Sequence, residues 1–270
     1  MTKSKIANVL KYVFLFVAAM ISIFPLVWMF ISATNTSGDV LGGRLLPGTN
    51  LLANFRALTA RADIGQALWN SLRNALVATV ASLVVCSIAG YGFEVYHDRG
   101  KDFLMKVLLL SMMIPFAAIM IPLFMMVGQF NLLSTTTAFV LPTVSTAFLI
   151  FLFRQSARYF PRDIIESSRL DGLSELGIFV RMYIPVMRST YATAGIITFM
   201  AAWNNYLWPL IIMQSEGSRT MPLLLSNLVA GYVTDYGLLM LAISISVLPT
   251  IVIFLLLQRS FAEGIVLSVK

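Results

Sequence analysis

Apolar runs of about 20 residues recur six times along this chain, and a helix needs about 20 residues to cross roughly 30 Å of hydrocarbon. The runs predict membrane-spanning helices at residues 12–33, 72–91, 103–127, 137–153, 191–213 and 236–257. A transmembrane barrel would show segments of about 10 residues with alternating polarity instead. Charged residues make up 11% of the chain and hydrophobic residues 59%, which fits a surface covered largely by lipid. We therefore expect an all-α integral membrane protein with six transmembrane helices in one domain, residues 1–270.

The first apolar run has an alternative interpretation, a cleaved signal peptide, because Lys3, Lys5 and Lys11 lie before or at its start. The apolar core of a signal peptide has about 7 to 15 residues, whereas this run has roughly 20. The small residues after it form no convincing cleavage site. We therefore expect the run to be the first membrane helix.

The distribution of Lys and Arg predicts the orientation, because basic loops stay on the cytoplasmic side of a membrane. With the six spans above, 14 of the 19 basic residues fall on the side that holds both termini. We therefore expect a multi-pass protein of the cytoplasmic (inner) membrane with both termini in the cytoplasm. The net charge of +7 lies in loops beside a membrane, which argues against nucleic acid as a partner. The basic residues on the opposite side are Arg44, Arg56, Arg61, Arg73 and Arg219.

Motifs for catalysis and metal binding are not found in the sequence. It has no phosphate-binding loop ending in Gly-Lys-Ser/Thr, and His97 and Cys86 are its only histidine and cysteine. No acidic residue falls in the middle of a span, where ion-coupled carriers usually keep ionisable groups. We therefore expect no catalytic residue, no metal site and no cofactor in this chain.

The connection between the fourth and fifth spans, residues 154–190, is too long for a simple turn. Pro161 suits the start of a first helix, and Gly172 suits a left-handed residue that closes it. A second amphipathic helix is expected after this break, ending at Pro185. A connector on the membrane surface without a partner is the alternative. The positions expected to form the apolar sides of the two helices are Ile164, Ile165, Leu170, Leu173, Leu176, Val180 and Tyr183.

This connection also carries a family resemblance. The stretch from Glu166 to Leu173, together with Phe179 and Ile184-Pro185, resembles the EAA loop of binding-protein-dependent ABC importer permeases. That loop has Glu-Ala-Ala, a Gly four residues after the second Ala, and then an Ile-x-x-Pro pattern or a close variant, before the penultimate helix. Here serines replace both alanines. The resemblance implies that Glu166, Ser167, Ser168, Asp171 and Gly172 couple the chain to an ATPase.

Other segments resemble the carbohydrate-uptake permeases of this family, similar to the six-helix subunit of the maltose type. They are Asn70-Ser71, the stretch 201–209, Leu248-Pro249 and the tail 258–264. The resemblance implies a type I importer fold, a sister permease, a cytoplasmic ATPase dimer that holds ATP and Mg²⁺, and an extracytoplasmic solute-binding protein. It also implies that the 214–220 loop contacts the binding protein, through Ser215, Glu216 and Gly217.

The fifth span contains polar and aromatic residues that are costly in lipid unless they face protein or water. Trp203 and Tyr206 are three residues apart and would share one face of a helix, flanked by Asn204. We expect these three residues to line a solute path, where amides bind hydroxyl groups and a ring covers a sugar. Hydrogen bonding between helices is the alternative.

Together these features predict the permease subunit of an ATP-driven sugar importer, with an oligosaccharide or glycoside as the substrate. A neutral solute is favoured because the spans lack the ionisable groups that would match a charged one. The alternatives are a permease for another small polar solute and an ATP-independent secondary carrier. Transport by membranes that hold this chain alone would indicate the carrier.

Overall fold

The computed structural model describes residues 2–230 and 234–267, with side chains placed for residues 8–230, 234–256 and 258. All regular secondary structure in these ranges is helical. The α-helices are α1 Thr2–Ser32, α2 Ser37–Leu41, α3 Leu51–Arg61, α4 Ile64–Val95, α5 Arg99–Ser111, α6 Phe116–Gln129, α7 Thr136–Val140, α8 Ala147–Ala157, α9 Arg162–Leu170, α10 Glu175–Ile178, α11 Ile184–Val186, α12 Arg188–Trp203, α13 Leu207–Ile212, α14 Met221–Val229 and α15 Tyr236–Leu267.

Three of these helices are long and apolar enough to cross a membrane: α1 over Asn8–Ser32, α4, and α15 over Tyr236–Leu256. They contain the first, second and sixth predicted spans to within one residue. The count rises to five if two bent helix pairs are each taken as one span.

The third predicted span, 103–127, is not one helix: α5 and α6 meet at an angle of 97°. Pro115 explains the break, because it has no backbone N–H and disfavours helical conformation at the residue before it. It caps α6 with extended backbone. The fourth predicted span, 137–153, is likewise bent by 53° between the segment Thr136–Thr143 and α8.

The fifth predicted span, 191–213, is also interrupted, since α12 ends at Trp203 and α13 begins at Leu207. The side chains of two asparagines form hydrogen bonds with backbone groups at this interruption. The Asn204 side-chain amide donates to the carbonyl of Met200 at 2.9 Å, and the Asn205 side-chain oxygen accepts from the N–H of Trp208 at 3.4 Å. Short amide side chains compete in this way with the backbone bonds that would continue a helix.

The chain forms two compact units, one of residues up to Ile64 with Leu224–Leu248, the other of Gly65–Leu223 with the residues from Pro249. In the first unit, the buried Asn54 amide donates to the carbonyls of Ala33 and Asn35 at 2.9 and 3.0 Å. Ser37 donates to the Asp235 carboxylate at 2.7 Å. These bonds hold the turn after α1 against α3 and the start of α15.

The core of the second unit surrounds Trp208, which is fully buried. Its indole N–H donates to the carbonyl of Ala138 at 2.9 Å, so α13 is fixed to α7. Phe116 meets the same ring edge to face, with 5.9 Å between centroids. One face of α13 is therefore packed into the core of the second unit, whereas Leu207 and Leu210 are exposed.

A glycine permits a close contact between α4 and α8 in the second unit. A Cβ atom on Gly90 would lie 2.6 Å from Phe153 Cβ and 2.8 Å from the backbone nitrogen of Arg154. Both distances are shorter than a van der Waals contact, so only glycine fits without a shift of α8. Gly92, on the same helix, has no such neighbour within 4 Å.

We expect Gly90→Ala to destabilise the protein and Gly92→Ala to leave it unchanged or stabilise it. Overpacking costs about 1 to 3 kcal/mol, whereas an alanine in an open helical position gains up to about 1 kcal/mol over glycine. Melting temperatures of the two purified variants in one detergent measure the difference. Equal melting temperatures would contradict the contact between α4 and α8.

Candidate functional site

The turn after α9 has the geometry expected for Gly172. Its φ is +79°, in the left-handed region, and no atom lies within 4 Å of where a Cβ would be. The N–H of Gly172 donates to the carbonyl of Arg169, and that of Leu173 to the carbonyl of Ser168, both at 3.0 Å. This pair of bonds is a Schellman motif, which ends α9 sharply. The predicted left-handed closure is confirmed.

The predicted coupling residues lie together at this end of α9. Glu166, Ser167, Asp171 and Gly172 are exposed, whereas Ser168 is 4% exposed and faces the protein. Glu166 lines a groove of about 170 Å³ beside the end of α4. The other charged residues that line the groove are Glu94, Arg158, Arg162 and Arg169.

The Glu175 carboxylate joins the two sides of the Gly172 turn. Arg169 donates to it at 2.7 Å from α9, and the hydroxyl of Tyr96, just after α4, donates to it at 2.5 Å. Arg169 and then Tyr96 lower the pKa of the Glu175 carboxyl below its ordinary value. The turn is therefore held to the end of α4 by a charged carboxylate at neutral pH.

The helix after the turn differs from the prediction. Pro185 does not end it: α10 continues through a π-helical turn, Phe179–Tyr183, into α11. The N–H of Ile184 donates to the carbonyl of Phe179, five residues back. Because a proline ring would crowd the carbonyl four residues earlier, the wider π turn gives Pro185 room inside the helix.

The buried side of this segment also differs from the predicted one. Ile165, Tyr91, Ile178, Phe179 and Tyr183 form the apolar cluster beneath it. Three positions on the predicted apolar sides of the two helices are exposed. They are Leu170 at 89%, Leu176 at 68% and Val180 at 50% exposure. The exposed apolar residues therefore lie on both sides of the Gly172 turn.

A buried arginine that we did not single out from the sequence anchors the end of α8. The Arg154 side chain is 5% exposed; its Nε donates to Glu94 at 3.3 Å and its Nη2 to Asp102 at 2.5 Å. His97 Nε2 lies 2.9 Å from the same Asp102 carboxylate. The contacts connect the ends of α4 and α8 to the start of α5. The sequence signal was an arginine directly after the fourth apolar run.

Trp203 and Tyr206 do not share a helix face as predicted, because α12 ends at Trp203 and α13 begins only at Leu207. Trp203 is 3% exposed and stacks on Phe199 with 5.8 Å between centroids. Asn204 is exposed at the helix end, and Tyr206 is half-buried before α13. The structure therefore brings Asn204 to the surface and places Trp203 in the core.

Ser215, Glu216 and Gly217 lie on the surface, in a short loop with a 3₁₀ turn at Glu216–Ser218. The Glu216 side chain is 88% exposed. Within the described part of the chain, no group of three or more His, Cys, Asp or Glu side chains has the arrangement of a metal site.

Comparison with known proteins gives a match between residues 82–266 and the family model described as "Binding-protein-dependent transport system inner membrane component". The lactose transport system permease protein LacG of Rhizobium radiobacter is 44% identical, over 99% of this chain and 98% of that protein. The arabinooligosaccharides transport system permease protein AraQ of Halalkalibacterium halodurans is 31% identical, over 92% and 90%. The sn-glycerol-3-phosphate transport system permease protein UgpE of Pectobacterium atrosepticum is 28% identical, over 97% of each.

A solved structure is also similar to this chain. It is a chain of a bacterial ABC transporter involved in the import of the acidic polysaccharide alginate, with a TM-score of 0.82 over 97% of this chain and 98% of that one. The sequence identity is 21%, so the likeness establishes a shared fold.

We expect Arg154→Met to destabilise the protein by about 3 kcal/mol, because Glu94 and Asp102 lose their buried partner. Arg158→Met is the matched control. Arg158 contacts the same Glu94 oxygen at the same 3.3 Å but is 52% exposed, so its loss costs at most about 1 kcal/mol. Thermal unfolding of both variants in one detergent measures this. Similar small losses of stability in both variants would contradict an anchoring role for Arg154.

Proposed function

This chain belongs to the family of inner membrane components of binding-protein-dependent transport systems, and from that premise we propose that it is the permease subunit of an ATP-driven sugar importer. Family membership makes it a multi-pass transport subunit and not an enzyme. The observation that carries the choice of substrate is the 44% identity to a lactose permease across 99% of the chain. An oligosaccharide or glycoside of similar size is the proposed substrate.

We propose a type I importer fold in one membrane domain, with six spans of which the third, fourth and fifth are broken helices. The shared fold with the alginate transporter chain supports this. Breaks near prolines are tolerated in membranes where neighbouring helices bind the freed backbone groups. The bond from Trp208 to the carbonyl of Ala138 and the Asn205 side chain, which accepts from the N–H of Trp208, supply such partners.

The proposed partners are a sister permease, a cytoplasmic ATPase dimer that binds ATP and Mg²⁺, an extracytoplasmic solute-binding protein and the surrounding lipid. The surface around Gly172 supports the docking of the ATPase. It combines a sharp, exposed turn with exposed Leu170, Leu176 and Val180, and apolar side chains of this kind gain from burial against a partner.

A permease for a small anionic solute is the second candidate, favoured by the 28% identity to an sn-glycerol-3-phosphate permease. Measuring how strongly lactose, an arabino-oligosaccharide and glycerol 3-phosphate each compete for uptake by the transporter separates the two candidates. An ATP-independent carrier is the third, and proteoliposomes that contain this chain alone would transport sugar only in that case.

The proposed orientation predicts that a cysteine at Arg162 is labelled only from the cytoplasm. Arg162 is exposed, and the native Cys86 is buried, so background labelling is low. Glu216→Cys on the proposed outer loop is the control, which an impermeant maleimide reaches in intact cells. Labelling of Arg162→Cys by the same external reagent would show that the topology is wrong.

The coupling role predicts that Gly172→Val uncouples the transporter without unfolding it. A β-branched residue resists the positive φ, at a cost above about 1 to 2 kcal/mol, while the space around the added side chain is open. Gly172→Asn is the control, because asparagine tolerates this conformation. We expect Gly172→Val, and not the control, to lose at least tenfold in sugar-stimulated ATP hydrolysis or in the amount of ATPase that stays bound to the permease. Normal sugar import by Gly172→Val would contradict the proposed coupling role of this turn.

The solute-path role is now proposed for Asn204 first, since it is exposed at a helix break, with Tyr206 beside it and Trp203 as support from the core. Asn204→Ala should slow the uptake of some sugars several-fold more than others. A packing role predicts instead that uptake of all sugars falls together with the yield of assembled complex. Uptake rates for several sugars, divided by complex yield, distinguish these outcomes.

A further inference from the structure

We propose that Asn70 and Ser134 are positioning residues that hold the 214–220 loop in one shape for docking of the solute-binding protein. This inference rests on the proposed function. The loop itself is exposed at residues 214–217, but the groups that hold it come from two other parts of the second unit.

Asn70, on α4, binds the second half of the loop. Its side chain is almost fully buried, with 1% exposure, and its amide donates to the carbonyls of Gly217 and Arg219 at 2.8 and 3.0 Å. Gln66, one turn earlier, donates to the Asn70 side-chain oxygen at 3.2 Å and so orients the amide. The adjacent Ser71 hydroxyl accepts from the N–H of Met221 at 2.7 Å, which fixes the point where the loop ends.

Ser134, between α6 and α7, binds the first half of the loop. Its hydroxyl oxygen accepts from the N–H groups of Gln214 and Ser215, both at 3.1 Å, and its own N–H donates to the carbonyl of Ile212 at 2.9 Å. Ser134 has φ +61°, a backbone conformation that residues other than glycine rarely adopt. Backbone strain of this kind persists where surrounding contacts determine it, and it concentrates at functional positions.

Together these side chains bind two N–H groups and two carbonyls of a seven-residue loop, while the Glu216 side chain is 88% exposed and pairs only with Arg219 of the same loop among the described contacts, at 3.2 Å. A loop that only connects α13 to α14 needs no such fixation, because water can bind its exposed backbone groups. A loop that docks a partner gains from it, since ordering before contact removes an entropic cost of association. The partner that fits is the protein that delivers the solute to this side of the membrane.

The test uses the complete transporter in proteoliposomes, with the solute-binding protein and sugar added from its docking side. ATP hydrolysis is measured over a range of binding-protein concentrations, which gives a half-saturating concentration and a maximal rate. Asn70→Ala removes both bonds to the loop carbonyls. Ser134→Gly removes the hydroxyl while leaving a residue that accepts the positive φ, so it keeps the fold even if the first variant does not.

Each variant has a matched control. Asn74→Ala removes an equally buried amide one turn further along α4, whose side-chain oxygen binds Thr136 and not the loop. Asn131→Gly changes the other residue with positive φ in the α6–α7 connection, at φ +54°, whose N–H bonds locally to Gly128.

We expect Asn70→Ala and Ser134→Gly each to raise the half-saturating concentration about tenfold, with less than a twofold change in the maximal rate. The controls should leave the half-saturating concentration unchanged. If the wild-type transporter responds to the binding protein but Ser134→Gly matches Asn131→Gly, the positioning role is wrong and the proposed function stands. If wild-type hydrolysis is independent of the binding protein, both the proposed function and this inference are overturned.

Discussion

Hydrocarbon offers no water to a backbone N–H or carbonyl, so a chain in a membrane must bind these groups within itself, at a cost of several kcal/mol for each one left free. The long helices α1, α4 and α15 satisfy most of this requirement along their own length, and Pro25 in α1 and Pro249 in α15 each remove one backbone donor. Interrupted helices need local partners. After α12, the side chains of Asn204 and Asn205 form hydrogen bonds with backbone groups on the two sides of the break. At the start of α7, the Thr135 hydroxyl accepts from the N–H of Ala138, and the Trp208 indole donates to the carbonyl of Ala138.

The helix α4 contacts both regions for which we propose a function. Asn70 and Ser71, near its start, bind the 214–220 loop, and Glu94, near its end, binds Arg154 beside the groove that contains Glu166. Residues 70 and 94 are separated by about 36 Å of helix, at 1.5 Å per residue. Gly90 lets the same helix lie directly against α8. One element therefore carries contacts at each end and a tight packing contact between them.

Composition and the spacing of apolar runs were enough to predict an all-helical membrane protein, because burial in lipid imposes length and polarity on every span. Gly172 could be predicted in detail, since the left-handed turn depends on a local sequence of a few residues. The broken helices are only partly predictable. The apolar run is continuous through Pro115 and Asn204; Pro115 by itself disfavours a continuous helix, whereas the end of α12 at Trp203 has no proline to indicate it. The Arg154 cluster was missed for a related reason: it joins three segments that are distant in sequence, and each of its charges alone resembles an ordinary loop residue.

The π turn at Phe179–Tyr183 holds one residue more than an α-helical path of the same length would need. Each residue of an α-helix turns the chain by about 100°, so this surplus sets the angle at which the Gly172 turn points relative to α12. Deleting a single residue here would still allow every backbone hydrogen bond within α9 and within α12. The Gly172 turn would nevertheless point in another direction. The direction in which the exposed Gly172 turn points therefore depends on the number of residues between the turn and α12, independently of which residues form the turn itself.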